Sequence, residues 1–235
     1  MLSRTIACCA ALLALAATPP PMTAEQLVAK NLEARGGADK LAAIRTMHAV
    51  GKVRFRGSSE AKIELWVEAP DKVRSEFTLQ GLTAVQAWDG TEGWTIQPFE
   101  GRRDPQRMSP DDAKDLIEAA DVAGPLSDHA AKGNKIEYLG TEDVDGTEAY
   151  KLRVTLKNGD SQVHYLDPDY FLDIRIVYHR IIRGQEQVQT VDVGDYEKVD
   201  GIYFPLEVGR NQIEKAELNV PVDPALFAFP EGGAK

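Results

Sequence analysis

The stretch Ala61–Gly90, AKIELWVEAPDKVRSEFTLQGLTAVQAWDG, decides the fold. Ile63, Leu65 and Val67 alternate with polar or charged positions that include Lys62 and Glu64, and Glu68 follows. Val73, Phe77 and Leu79 share a parity with Ser75, while Lys72, Arg74 and Glu76 occupy the other. A period of two sends successive side chains to opposite faces of an extended chain, so each run predicts a strand with one buried and one wet face. Pro70-Asp71 and Gly81 separate the runs. Connections this short join antiparallel neighbours, because parallel pairing needs a long crossover.

The same period continues outward. Upstream, Val53 and Phe55 alternate with Lys52 and Arg54, and Gly57-Ser58-Ser59 marks a turn. Downstream, AWDGTEGWTIQP (Ala87–Pro98) places Trp88 and Trp94 around a turn built from Asp89, Gly90 and Gly93. Such a pair either clasps its hairpin as an aromatic contact or, with Ile96, lines a cavity. Further strands are expected at Ile136–Leu139, Ala149–Lys157, Ser161–Leu166, Leu172–Ile182, Gln187–Val193, Ile202–Val208 and Glu214–Leu218. Asp145-Gly146, Asn158-Gly159, Asp167-Pro168 and Asp200-Gly201 supply the turns between them, and Asn-Gly and Asp-Gly are strong hairpin signals.

Helices are few. Thr23–Arg35 carries Leu27, Val28 and Leu32 at helical spacing and stops at Gly36-Gly37, with Ala38–Ile44 adding two turns. Ser109–Asp121 opens on Ser109-Pro110-Asp111-Asp112, a helix start, and carries the apolar stripe Leu116, Ile117, Ala120. Gly101 and Pro105 precede it in an expected loop, and a short helix is expected at Leu126–Ala131. A sheet of about ten strands is near the size at which open sheets curl. So few helices can plug the mouth of a curled sheet but cannot cover a flat one. The expected class is mainly β with a few helices: a strongly curved antiparallel sheet forming an unclosed β-barrel with a helical lid. By alternation Val53, Phe55, Ile63, Leu65, Val67, Phe77, Leu79, Leu152, Val154 and Leu156 share the concave face, and the lid adds Leu116 and Ile117.

Composition narrows the function. Asp and Glu number 37 against 27 Lys and Arg, a net charge of −10, which disfavours nucleic-acid binding because that needs basic patches. Met1–Arg4 and the apolar run Ile6–Ala17, with Ala14-Leu15-Ala16 as a cleavage pattern, read as a signal peptide over residues 1–16. The run is well short of the roughly 20 residues of a membrane anchor, the alternative reading. A short Pro-rich linker (17–24) and one domain (25–235) follow. Cys8 and Cys9 both precede most of the apolar run, so the chain is not read as a lipoprotein, and the mature part has no cysteine for a disulfide, a nucleophile or a thiolate metal site.

No catalytic motif emerges. The four histidines show no metal-ligand spacing, and His48, His164 and His179, on expected strands, are read as solvated outer-face residues. The acidic clusters sit at a helix start or beside turns, where carboxylates have structural roles. There is no nucleophile elbow, P-loop, dinucleotide fingerprint or calcium loop. No enzyme activity, metal or cofactor is expected.

Several stretches carry a family resemblance over nearly the whole mature chain: ARGGADKLAAIRTMHAVGKVRF (Ala34–Phe55), AWDGTEGWTIQP, ADVAGPL (Ala120–Leu126), HYLDPDYFLDIR (His164–Arg175), DYEKVDGIYFP (Asp195–Pro205) and VDPALFAFP (Val222–Pro230). In these the chain resembles the periplasmic outer-membrane lipoprotein-sorting proteins of the LolA-like superfamily. The resemblance implies an unclosed barrel with a helical lid over an apolar cavity. It further implies a periplasmic carrier or binding protein for lipid-bearing cargo, with lipid or lipoprotein acyl chains as ligand and inner- and outer-membrane sorting proteins as candidate partners. The alternative is a non-catalytic regulatory or scaffold protein whose barrel core is filled and which binds a protein.

Overall fold

The computed structural model describes residues 22–55 and 60–230. The expected signal peptide, most of the linker and the Gly57-Ser58-Ser59 turn lie outside the described residues.

Helix α1 (Ala24–Ala34) starts where a capping box forms: Thr23 Oγ1 accepts from the Gln26 amide, and the Gln26 side chain accepts from the Thr23 amide. It buries Leu27, Val28 and Asn31. Helix α2 (Ala38–Ala42) follows Gly36-Gly37. Gly36 has φ 121°, and a Cβ there would meet the Gly201 carbonyl oxygen at 2.4 Å, so only glycine fits this close approach.

The strands then come in two runs. The first holds β1 (Thr46–Arg54), β2 (Glu60–Glu68), β3 (Lys72–Leu79), β4 (Leu82–Asp89), β5 (Gly93–Gln97) and β6 (Arg102–Met108). After helix α3 (Lys114–Ala119), the second holds β7 (Lys135–Val144), β8 (Thr147–Thr155), β9 (Ser161–Leu166), β10 (Asp173–Ile182), β11 (Gln185–Val199), β12 (Ile202–Val208) and β13 (Asn211–Leu218). They form one 13-stranded sheet in the order β6-β5-β4-β3-β2-β1-β13-β12-β11-β10-β9-β8-β7, with antiparallel neighbours throughout.

This order puts the first and last strands together in the middle of the sheet and the chain's midpoint at its two edges. Residues 109–134, between β6 and β7, therefore run from one edge to the other and carry α3. The sheet curls beneath them: Phe77 of β3 and Tyr178 and Arg180 of β10 line one cavity, although five strands separate β3 from β10. The architecture is an unclosed, mainly β half-barrel.

Three expectations change. Pro105 does not sit in a loop but in β6, an edge strand, where a missing N–H costs no ladder bond. The expected helix Ser109–Asp121 is shorter. Its start is a turn in which the Ala113 amide donates to the Ser109 carbonyl (3.1 Å), and Asp111 and Asp112 reach across to Arg183 instead of capping. Residues 126–131 form turns rather than a second helix.

The pairing also settles the two tryptophans. Trp88 opposes Gly93, and Ala87 opposes Trp94, so the indoles lie on opposite faces and do not clasp the hairpin. Trp88 packs on the concave side with Val73 and Leu116. Trp94 joins Val85, Ala87, Ile96 and Phe229 in a satellite core on the convex side. The C-terminal segment closes it: Trp94 Nε1 donates to the Phe227 carbonyl (2.9 Å), and Arg74 Nη1 to that of Leu226 (3.0 Å).

Candidate ligand-binding cavity

The concave face carries apolar clusters at two places and open space between them. Near α3, Leu41, Met47, Val67, Val73, Trp88, Leu116 and Leu218 are buried together. Near α1, Leu27, Val28, Leu126, Leu152, Val154 and Leu166 form a second cluster, with Leu156 beside it.

Between the lid helix and β1–β3 lies a cavity of about 350 Å³. Val53, Ile63, Leu65, Phe77 and Leu116 line it, with Ala49 and Ile213. The strand register explains the gathering: Ile63 opposes Phe77 and Leu65 opposes Ser75, so alternate residues of each strand face inward together. A neighbouring space of about 570 Å³ shares Val53, Phe77, Asn211 and Asp115 with it, and adds Phe55, Tyr178, Arg180, Gln189 and Arg210. Phe55 meets Phe77 edge to face, with centroids 6.1 Å apart. The volumes fall in the roughly 300–1,000 Å³ range of small-molecule sites.

The other residues read from the sequence lie elsewhere. Val67 and Trp88 are packed in the core under the lid. Leu79 opposes Leu82 at the hairpin tip. Ile117 packs against the α3 cluster and faces the turns after the lid. Leu152, Val154 and Leu156 support α1. Trp94 and Ile96 are on the convex side, a correction to their expected place in the cavity: β4–β5 pairing reverses their parity relative to Trp88.

A polar wall faces the apolar one, and nothing in the sequence pattern announces it. Arg180 of β10, only 7% exposed, holds α3 from the side. Its Nε donates to Glu118 Oε1 (3.0 Å) and its Nη2 to Glu118 Oε2 (2.8 Å), while Asp115 Oδ1 lies 3.1 Å from Nε. Lys114 Nζ lies 3.0 Å from the buried carboxylate of Asp160, which also accepts from the Ile181 amide. Arg183 pairs with Asp112 at 2.6 Å. The charged face of α3, which its amphipathic pattern would send to solvent, is thus tied to β9–β10.

Behind the clamp, Gln162 Nε2 donates to Glu118 Oε2 (3.2 Å), which turns its amide oxygen toward His164 Nε2 (3.2 Å). His164 Nδ1 faces Asp173 Oδ1 at 2.8 Å. His164 is 3% exposed, so its expected place on a wet face is corrected. A lone histidine between apolar neighbours gives no hint of this; the usable signal is its parity with Leu166 and Gln162 on β9. Burial pushes the Tyr178 hydroxyl up to about 12, with the nearby Glu118 carboxylate adding to the shift, and burial also raises that of Tyr196.

No family model and no curated protein matches the chain. Solved structures do. A LolA superfamily protein from Nitrosomonas europaea superposes with a TM-score of 0.55 at 13% identity, over 88% of this chain and 98% of that one. The fold is LolA-like. A putative outer membrane lipoprotein-sorting protein domain from Vibrio parahaemolyticus gives a TM-score of 0.53 at 11% identity, over 87% and 95% of the two chains. A DUF1329 family protein from Desulfovibrio piger gives 0.54 at 16% identity, over 88% and 97%. At these identities the likeness is one of fold.

Proposed function

We propose that the chain is a periplasmic carrier or binding protein for lipid-bearing cargo, with an acyl chain held between β1–β3 and α3. The observation that carries this reading is the apolar cavity lined by Val53, Ile63, Leu65, Phe77 and Leu116 directly beneath a short helix. Each buried methylene contributes about 0.8 kcal/mol, so a chain of about 15 methylenes gains roughly 12 kcal/mol on leaving water. Shielding such a chain needs an apolar interior and a cover that moves, and it needs no catalytic group. The His164–Asp173 pair fits that reading: His164 Nε2 faces an amide oxygen where a nucleophile would have to sit. The lipoprotein-sorting name of one structural neighbour supports lipid-bearing cargo, and inner- and outer-membrane sorting proteins are the proposed partners.

Native mass spectrometry of the exported protein, purified without detergent, tests the reading. The expected result is a bound lipid mass. Repeated recovery of empty protein would favour the filled-core scaffold instead. N-terminal sequencing of the same sample is expected to start near Ala17, and an intact Met1 would contradict export by cleavage.

A further inference from the structure

The cavity is not apolar throughout, and its polar end presents donors. Arg180 Nη1 donates to Gln189 Oε1 (3.2 Å), so the Gln189 amide group keeps its N–H donors for the open space. Arg180 itself is neutralised by Asp115 and Glu118. Tyr178 opposes Gln189 in the β10–β11 register and lines the same space, and its hydroxyl has no hydrogen-bond partner among the described residues. Arg210, in the turn between β12 and β13, also lines it, with its guanidinium 5.9 Å from the Phe55 ring centre. Arg210 pairs with no carboxylate among the described residues, in a protein whose net charge is −10. The Asp115 carboxylate, the acidic group lining this space, already faces Arg180. What remains unmatched is one positive charge and neutral donors, a set complementary to an anionic oxygen group.

This polar space adjoins the apolar cavity, and Val53 and Phe77 line both. We infer that the cargo is an amphiphile with an anionic oxygen head group, its chain lying over Ile63 and Leu65 and its head held by Arg210, with Tyr178 and Gln189 as further donors. The inference rests on the carrier reading, because it uses the same apolar cavity for the chain. The Tyr178 hydroxyl is protonated, and so a donor, at neutral pH, and burial pushes its value further up, to about 12.

Laurate and 1-dodecanol separate the two claims, since they share a chain and differ in head group. Binding is measured by calorimetry at low salt, with acetate as a competitor. Wild-type protein is expected to bind laurate about tenfold more tightly than dodecanol, the size of one charge-assisted contact. Arg210→Gln, a change at an exposed turn residue, should weaken laurate about tenfold and dodecanol by a much smaller factor, which removes that difference. Tyr178→Phe should weaken laurate by a smaller factor. Acetate alone should not compete. Equal binding of acid and alcohol, an Arg210→Gln protein that keeps the preference, or effective competition by acetate would overturn the head-group inference while leaving a chain-binding carrier standing. Binding of neither amphiphile would overturn both.

Discussion

The lid helix stands between two unlike walls. On the β1–β4 side, α3 presents Ala113, Leu116 and Ala120 to Val67, Val73 and Trp88, a contact with no directional bonds. On the β9–β10 side, Lys114, Asp115 and Glu118 meet Asp160 and Arg180 through short, directional pairs. The apolar wall resists opening in proportion to the area exposed, and a ligand that fills the same surface replaces what is lost. The polar wall holds a single geometry and fails when one partner is removed, because the other is left partly buried without its counter-charge. A helix of six residues has little stability of its own. Its position is therefore set by these two walls, one tolerant of sliding and one that fixes register.

Removing the polar wall should have the largest effect. Arg180→Ala leaves the largely buried Glu118 carboxylate with the Gln162 amide but no counter-charge, and is expected to lower folding stability by roughly 3 kcal/mol in chemical denaturation. A loss below about 1 kcal/mol would mean that the clamp adds little to the fold.

The apolar wall should respond next, and asymmetrically. Leu65→Asp places a carboxylate in the cavity and should abolish binding of an apolar fluorescent probe, with a stability loss of about 2 kcal/mol. Glu64 sits on the opposite face, accepting from Lys62 (2.7 Å) and paired with His48 (3.0 Å). Glu64→Ala should leave probe binding intact and cost under about 1 kcal/mol. Equal effects of the two substitutions on probe binding would contradict the register of β2.

Acid should give the smallest change, at the rim of the polar wall. Hydrogen bonds from Arg183 and then Ser109 hold the Asp112 carboxyl below its ordinary 3.8. A depressed carboxylate stabilises the folded state above its unfolded value and loses that contribution as pH falls through the folded one. The pair is exposed, so the loss below about pH 4 should be near 0.5 kcal/mol and should vanish in Asp112→Asn. Thermal melts of the two proteins between pH 6 and 3, compared at equal salt, check this; a larger acid loss in the variant than in the wild type would reverse the assigned sign.

The two walls also differ in how far the sequence discloses them. Strands with one wet face announce themselves by period, so the alternation alone puts Ile63, Leu65 and Phe77 on one face. Period does not say which face a hairpin partner takes, and for that reason it misplaces Trp94 and Ile96. Strand β6 escapes because it is an edge strand with charged residues and a proline, which carries no apolar alternation. The polar wall escapes because its members come from distant segments: Glu118 and Arg180 are 62 residues apart, and each alone reads as a solvated charge. A buried ion pair shows in a sequence only as two ordinary charges.

The claim that joins these observations is that α3 covers the cavity and moves when an acyl chain enters. Hydrogen exchange over Lys114–Ala119, with and without laurate, tests it most directly. The account predicts that these amides exchange faster than those of β8 in the free protein, through local opening below the cost of global unfolding, and slow when laurate is bound. Protection of α3 equal to that of β8, unchanged by laurate at saturating concentration, would contradict it.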